Sequence, residues 1–189
     1  MASSAERLQR ILTEPLAYLH TERLPLPADF EGQDARSVLN SILLEGLLLS
    51  APTALAPLSV VTELWVRQWR HLPYIASLMG AWRLFPQLAC GGALQQLPCS
   101  LRSFARYTLS ARSSLAIEQS MLSRQHIDAA GFNALRSWSE QVSPELLERL
   151  SLQFSPRAIA LNWQWPVTEP DPALFFLAVQ HARLHPNPD

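Results

Sequence analysis

The sequence predicts a mainly α-helical protein: a single compact domain over residues 1–189, built of seven or eight short helices, with a loose tail from about residue 185 and a small β-hairpin admitted near residues 149–165. Three observations carry that expectation. Apolar residues recur at three- and four-residue spacing along most of the chain. Fifteen prolines cut it into short pieces. A content of 48% hydrophobic against 16% charged residues removes it from the disordered class, and a chain this long can bury about 70% of its unfolded surface.

Taken in order, Leu8, Ile11, Leu12, Leu16 and Leu19 form an amphipathic first helix behind the candidate caps Ser3 and Ser4, and Pro15 should kink or split it. The run Leu24 to Pro27 forces extended backbone. Val38, Leu39, Ile42, Leu43 and Leu47 then mark a second apolar stripe, with Asp34 as its expected cap. Val61, Leu64, Trp65, Gln68 and Leu72 mark a third helix that Pro73 should end. Ile75, Leu78, Met79, Trp82 and Phe85 mark a fourth, stopped by Pro86. The Val61 to Phe85 pair, with Trp65 and Trp82 buried, is the expected centre of the core.

Pro98 should open a helix that buries Leu101, Phe104, Ala105 and Thr108, which leaves Arg102 and Arg106 on the other side. Ile127, Gly131, Ala134, Leu135, Trp138 and Val142 share one helical face. Ser143, Pro144 and Glu145 read as cap, first-turn proline and dipole-matching acid of a short helix through Leu150. The period then changes to two: Leu150, Leu152 and Phe154, and again Ile159, Leu161, Trp163 and Trp165, alternate with other residues about Ser155-Pro156-Arg157, the pattern of a hairpin. Asp171-Pro172 begins a last helix with Leu174, Phe175, Leu177 and Ala178 available for burial.

Charge is segregated along the chain. Residues 64–117 hold Arg67, Arg70, Arg83, Arg102, Arg106 and Arg112 and not one acid, whereas residues 1–63 hold eight acids against four arginines and residues 118–189 eight against five. Two readings stay open: the blocks neutralise one another inside one fold, or they present unlike faces to partners. Arg102 and Arg106, with Arg112, are the candidate partner contacts, because no acid of their own block can pair with them. Glu118 or Asp128 would have to reach them otherwise.

The chemistry of an enzyme finds no foothold. None of the six glycines stands in a phosphate-cradling motif, and no nucleophile elbow occurs. Cys90 and Cys99 read as two buried thiols. His181 and His185 stand four apart, at metal-ligand spacing, but Ala182 replaces the glutamate of a zinc protease signature, so solvated histidines near a frayed end are expected. No catalytic site, metal or cofactor is expected. An arginine-rich block interleaved with aromatics keeps nucleic-acid binding or a regulatory role as the alternative, against which a pI near 6.5 argues. Glu6, Arg7 and Arg10 fall where a secretory signal would be apolar, and the uncharged run Gly46 to Thr62 is broken by Pro52 and Pro57, so the expected location is the cytosol.

Two segments carry a family likeness. Pro15 to Pro25, PLAYLHTERLP, and Glu148 to Phe154, ERLSLQF, resemble segments of the K-subunit family of the bacterial type III secretion sorting platform, the SctK family that includes YscK and PscK. The resemblance implies a helical, non-enzymatic adaptor at the cytosolic face of the inner membrane. Its implied partners are the cytoplasmic domain of the inner-membrane ring protein, SctD, and the pod protein SctQ, with no nucleic acid and no small-molecule substrate. A linker between two assemblies needs two unlike faces, which the charge blocks could supply.

Overall fold

The computed structural model describes residues 3–25, 32–50, 58–90, 92–109 and 122–186. Among them the regular structure is helical: α1 (Ser4–Thr13), α2 (Gln33–Gly46), α3 (Val60–Gln68), α4 (Leu72–Arg83), α5 (Phe85–Ala89), α6 (Cys99–Ala105), α7 (Arg124–Arg136), α8 (Pro144–Leu152), α9 (Pro156–Asn162) and α10 (Pro172–Leu184), with short 3₁₀ turns at Pro15–Ala17, Trp69–His71 and Ala93–Gln96. The chain divides into two compact units, Met1–Arg70 with Ser139–Pro156, and His71–Trp138 with Arg157–Asp189.

In the first unit α1 opens on a capping box: the Glu6 amide donates to Ser3 Oγ at 3.2 Å while the Ser3 amide donates to the Glu6 carboxylate at 2.9 Å. The helix buries Leu8, Ile11 and Leu12, and Pro15 ends it in the 3₁₀ turn, as its missing amide requires. Ser59 caps α3 by accepting from the Thr62 amide at 3.1 Å, and both hydroxyls also bond the Gln141 carbonyl oxygen. Trp65 is wholly buried, and Trp69 and Tyr18 meet nearly perpendicular at 5.3 Å between centroids.

α8 is tied to the start of the chain by arginine side chains. Arg149, only 1% exposed, donates from Nε and Nη2 to the Leu12 carbonyl at 3.2 and 3.0 Å, from Nη1 to Glu145 at 3.1 Å and from Nη2 to Ser50 at 3.0 Å. Arg23 donates to the Phe154 and Ser151 carbonyls at 2.9 and 3.0 Å, and the His20 amide to Leu152 at 2.9 Å. The segments Pro15 to Pro25 and Glu148 to Phe154, far apart in sequence, are therefore bound to each other.

The second unit is organised around α4, which packs chiefly on α7 and also on α6 and α10. It is buried on every side from Tyr74 to Arg83. The approach to α7 is backbone to backbone. A methyl group on Gly80 would land on the Ile127 carbonyl oxygen, and one on Gly131 on the Ala76 carbonyl, so glycine is required at both places. Trp82 is buried and its indole donates to the Tyr107 carbonyl at 2.8 Å. Asp171 caps α10 by accepting from the Leu174 amide at 2.9 Å.

Several expectations are corrected. Residues 149–165 form no hairpin: α8 runs through Leu152, and Pro156 sits in the first turn of α9. A lone ribbon would lack neighbouring strands, whereas the two helices and the turn between them bury Leu150, Leu152, Phe154, Ala158 and Asn162. Pro73 and Pro86 start helices rather than stop them, because proline fits the first turn, where its absent amide is not missed. Gly32 takes the cap position of α2, with Asp34 in the first turn. The apolar stripe of α2 is not core, since Val38 and Ile42 are 60% and 57% exposed. Thr108 lies beyond the end of α6 and is exposed. Cys90 and Cys99 are exposed free thiols, each at a helix terminus that faces outward.

Adding one methyl group at the helix crossing should be severe, and adding one in open space should not. Gly80→Ala is expected to lower the unfolding free energy by about 3 kcal/mol or to abolish folding, whereas Gly46→Ala, with nothing within 4 Å, should change it by less than about 1 kcal/mol. Urea denaturation of the two variants separates these outcomes. In the first unit, Arg149→Ala should lose about 3 to 5 kcal/mol by stranding the Leu12 and Ser50 carbonyls. Arg149→Lys, which cannot fork between acceptors, should fall between that variant and the parent in the same melts.

Candidate functional site

The candidate contacts sit at the end of a short helix. Leu101, Phe104 and Ala105 are buried and hold α6 in place. Arg102, one turn before Arg106, is half-buried and donates from Nη1 to Gln95 Oε1 at 3.1 Å and more weakly to its carbonyl at 3.4 Å. Arg106 is the C-cap residue and is exposed. A cation there favours the carbonyl end of the helix dipole. Neither arginine forms an ion pair among the described residues. Asp128, one acid that could have reached them, is engaged elsewhere: it accepts from Ser77 Oγ at 2.7 Å and pairs with Arg124 at 3.2 Å. Arg112 and Glu118 lie outside the described residues.

The rest of the basic block divides by role. Arg67 and Arg70 are exposed in the first unit. Arg83 is buried, donating to Asn133 Oδ1 at 3.1 Å and to Thr168 Oγ1. Burial pulls its guanidinium below the usual arginine range, while nearby Asp171 acts the other way. Asn133 completes the group by donating to the Pro166 carbonyl at 3.0 Å. Above it lies a cleft of about 520 Å³ lined by Trp82, Arg83, Thr168, Glu169, Asp171 and Leu174 among others. On its wall Arg83 and Thr168 bond each other, and with Asn133 they brace the loop that borders the cleft.

Sequence spacing suggested two solvated imidazoles, and one of them is not. His181 is buried against Phe104, at 5.1 Å between ring centroids, and stacks on exposed His185 at 4.5 Å. Among the described residues no three His, Cys, Asp or Glu side chains gather as metal ligands would. Burial, and then the neighbouring His185, push the His181 pKa down, with a backbone contact at Ser100 acting the other way. Burial, and then Arg157, lower His126, whose Nδ1 lies 2.9 Å from Ser123 Oγ.

A histidine held below its ordinary range takes up its proton more readily in the unfolded chain. Stability should therefore be fully present above about pH 6.5 and decline as pH drops below it. The melting temperature should fall as the pH is lowered from about 6.5 to about 5. The fall should be shallower in His181→Gln, which differential scanning calorimetry across that range would register.

The exposed α2 and the arginine staple escaped sequence reasoning. The leucine-rich end of α2 without a following glycine, and an arginine inside ERLSLQF, were the available signals. Comparison with known proteins now fits the geometry. The family model described as bacterial type III secretion apparatus protein (OrgA_MxiK) matches residues 8–184, which include both mutually bound segments. The oxygen-regulated invasion protein OrgA of Salmonella typhimurium is 30% identical over 180 residues, covering 95% of this chain and 88% of that protein. Protein MxiK of Shigella flexneri is 26% identical over 176 residues, covering 93% and 87%. No solved structure gives a significant match. With a family model spanning nearly the whole chain and a relative of this identity, the chain belongs to the OrgA/MxiK family of bacterial type III secretion apparatus proteins, the SctK family.

Proposed function

We propose that this protein is a structural adaptor of the type III secretion sorting platform. It stands at the cytosolic face of the inner membrane and links the cytoplasmic domain of the ring protein SctD to the pod protein SctQ, so that effectors are recruited and exported. It works by holding partners, with no catalysis, cofactor or nucleic acid. Family membership supports a place in the secretion apparatus. The observation that carries the finer reading is the arginine surface of α6: Arg106 is exposed and Arg102 is bound to a neutral glutamine, so both forks can take carboxylates from an acidic partner. In this reading Arg112 belongs to the same contact, and the acidic face it meets is on SctD.

Reversing both charges tests the placement in a secreting strain. The Arg102→Glu, Arg106→Glu double variant should keep its melting temperature to within a few degrees, since neither side chain is core. It should lose ring recruitment and secretion, because interfacial charge reversal costs several kcal/mol. Normal secretion by the folded variant would overturn the assignment of this surface, and loss of folding would overturn its exposure.

A further inference from the structure

No residue of α2 is fully buried, whereas every other described α-helix buries at least one. Its inner side is anchored, with half-buried Leu39 and Leu43 and with Asn40 Oδ1 accepting from the Leu16 amide at 2.9 Å. On its outer side the helical repeat of about 100° per residue gathers Asp34, Val38, Ile42 and Glu45 into an arc of about 80°. All four are exposed. Arg36, the one base of the helix, is half-buried on the other side.

The end of α2 is held in strained backbone. Leu48 has φ of 50°, left-handed backbone that glycine normally supplies at this position of a helix stop. The stop is formed by the Leu49 amide donating to the Leu44 carbonyl and the Leu48 amide to Glu45, both at 3.1 Å. The leucine held there is 88% exposed. It is not slack: the next turn is pinned by the Ser50 amide and hydroxyl donating to the Glu148 carboxylate at 3.1 and 2.8 Å, and the Ser50 carbonyl accepts from Arg149. Strained backbone therefore presents a large apolar side chain to the outside just past the end of the helix that exposes Val38 and Ile42.

We propose that α2 and its C-terminal turn are a docking surface for an amphipathic helix of a partner protein whose apolar face is flanked by lysine or arginine. Val38 and Ile42 stand one turn apart, about 6 Å along the axis, and Leu48 follows just past the helix end, a spacing that matches apolar residues three or four apart on a helix laid alongside. Asp34 and Glu45 border that ridge and no base of α2 shares it, so the rim of the occupant is cationic. A second copy is disfavoured, since a two-fold contact through this face brings the same carboxylates toward each other. An anionic lipid surface is repelled for the same reason. The surface differs in sign from the arginine pair of α6, and its occupancy does not depend on what those arginines bind.

The test is a photocrosslinking residue at Ile42 of the full chain in a secreting bacterium, with the same residue at exposed Gln180 of α10 as control, and sequencing of the crosslinked peptides. The Ile42 probe should capture a segment of another protein with apolar residues three or four apart and lysine or arginine beside them. Capture should drop roughly tenfold or more when Val38→Ser and Leu48→Gly are added. Leu48→Gly alone should raise the melting temperature by about a few degrees, because the left-handed position no longer carries a side chain. Adducts only to a second copy, to lipid or to a segment without flanking bases, or no adduct beyond the Gln180 control, would overturn the proposal. So would a lower melting temperature in Val38→Ser, which would mean that the chain covers this face itself. A basic amphipathic segment in a protein other than SctD or SctQ would leave the surface standing while counting against the adaptor reading.

Discussion

The first unit depends on a guanidinium that cannot reach water. Arg149 lies among the carbonyls of Leu12, Glu145 and Ser50, and the carboxylate of exposed Glu148 is 3.9 Å away. Dehydrating a cation is expensive unless its donors are met, and here backbone carbonyls meet them. Leu12 is at the end of α1, where carbonyls have no partner within the helix. The helix end needs donors and the buried arginine needs acceptors, so each resolves the other's deficit. The same region holds Tyr18, whose hydroxyl donates to the Ile11 carbonyl at 2.7 Å. Burial pushes that hydroxyl well above the usual tyrosine range, with Arg149 acting the other way.

The second unit rests on a different constraint, the absence of side chains. α4 and α7 approach until Gly80 meets the Ile127 carbonyl and Gly131 meets Ala76. At that distance backbone packs on backbone, and the polar side chains above and below the crossing must find partners in one another. Ser77 with Asp128 and Arg124, and Arg83 with Asn133 and Thr168, do so. Such pairing restricts the register in which two apolar helices can slide.

These interiors leave their surplus chemistry outside, which suits a component of a multi-protein apparatus. The arginine block is not one patch: Arg83 turns inward to brace a loop, while Arg67, Arg70 and Arg106 point out. On α2 the surplus is apolar and acidic. A protein that meets partners through unlike surfaces gains selectivity, because a face that attracts one partner repels the other.

The helical class and most element positions can be read from the amino-acid order, since apolar spacing, caps and first-turn prolines act locally. Ser3 as a cap, Asp171 with Pro172, and Trp65 and Trp82 at inward positions were all legible in it. It also identified the two segments of family likeness, though not that they bind each other. Three matters were decided only by tertiary structure. Residues 149–165 became helices because a hairpin needs neighbouring strands that no other part of the described chain supplies. The stripe of α2 stayed outside because periodicity marks an apolar face without saying whether anything covers it. Arg149 went inside because its acceptors come from Leu12 and Ser50, more than ninety residues away, and no local pattern encodes where another helix will end.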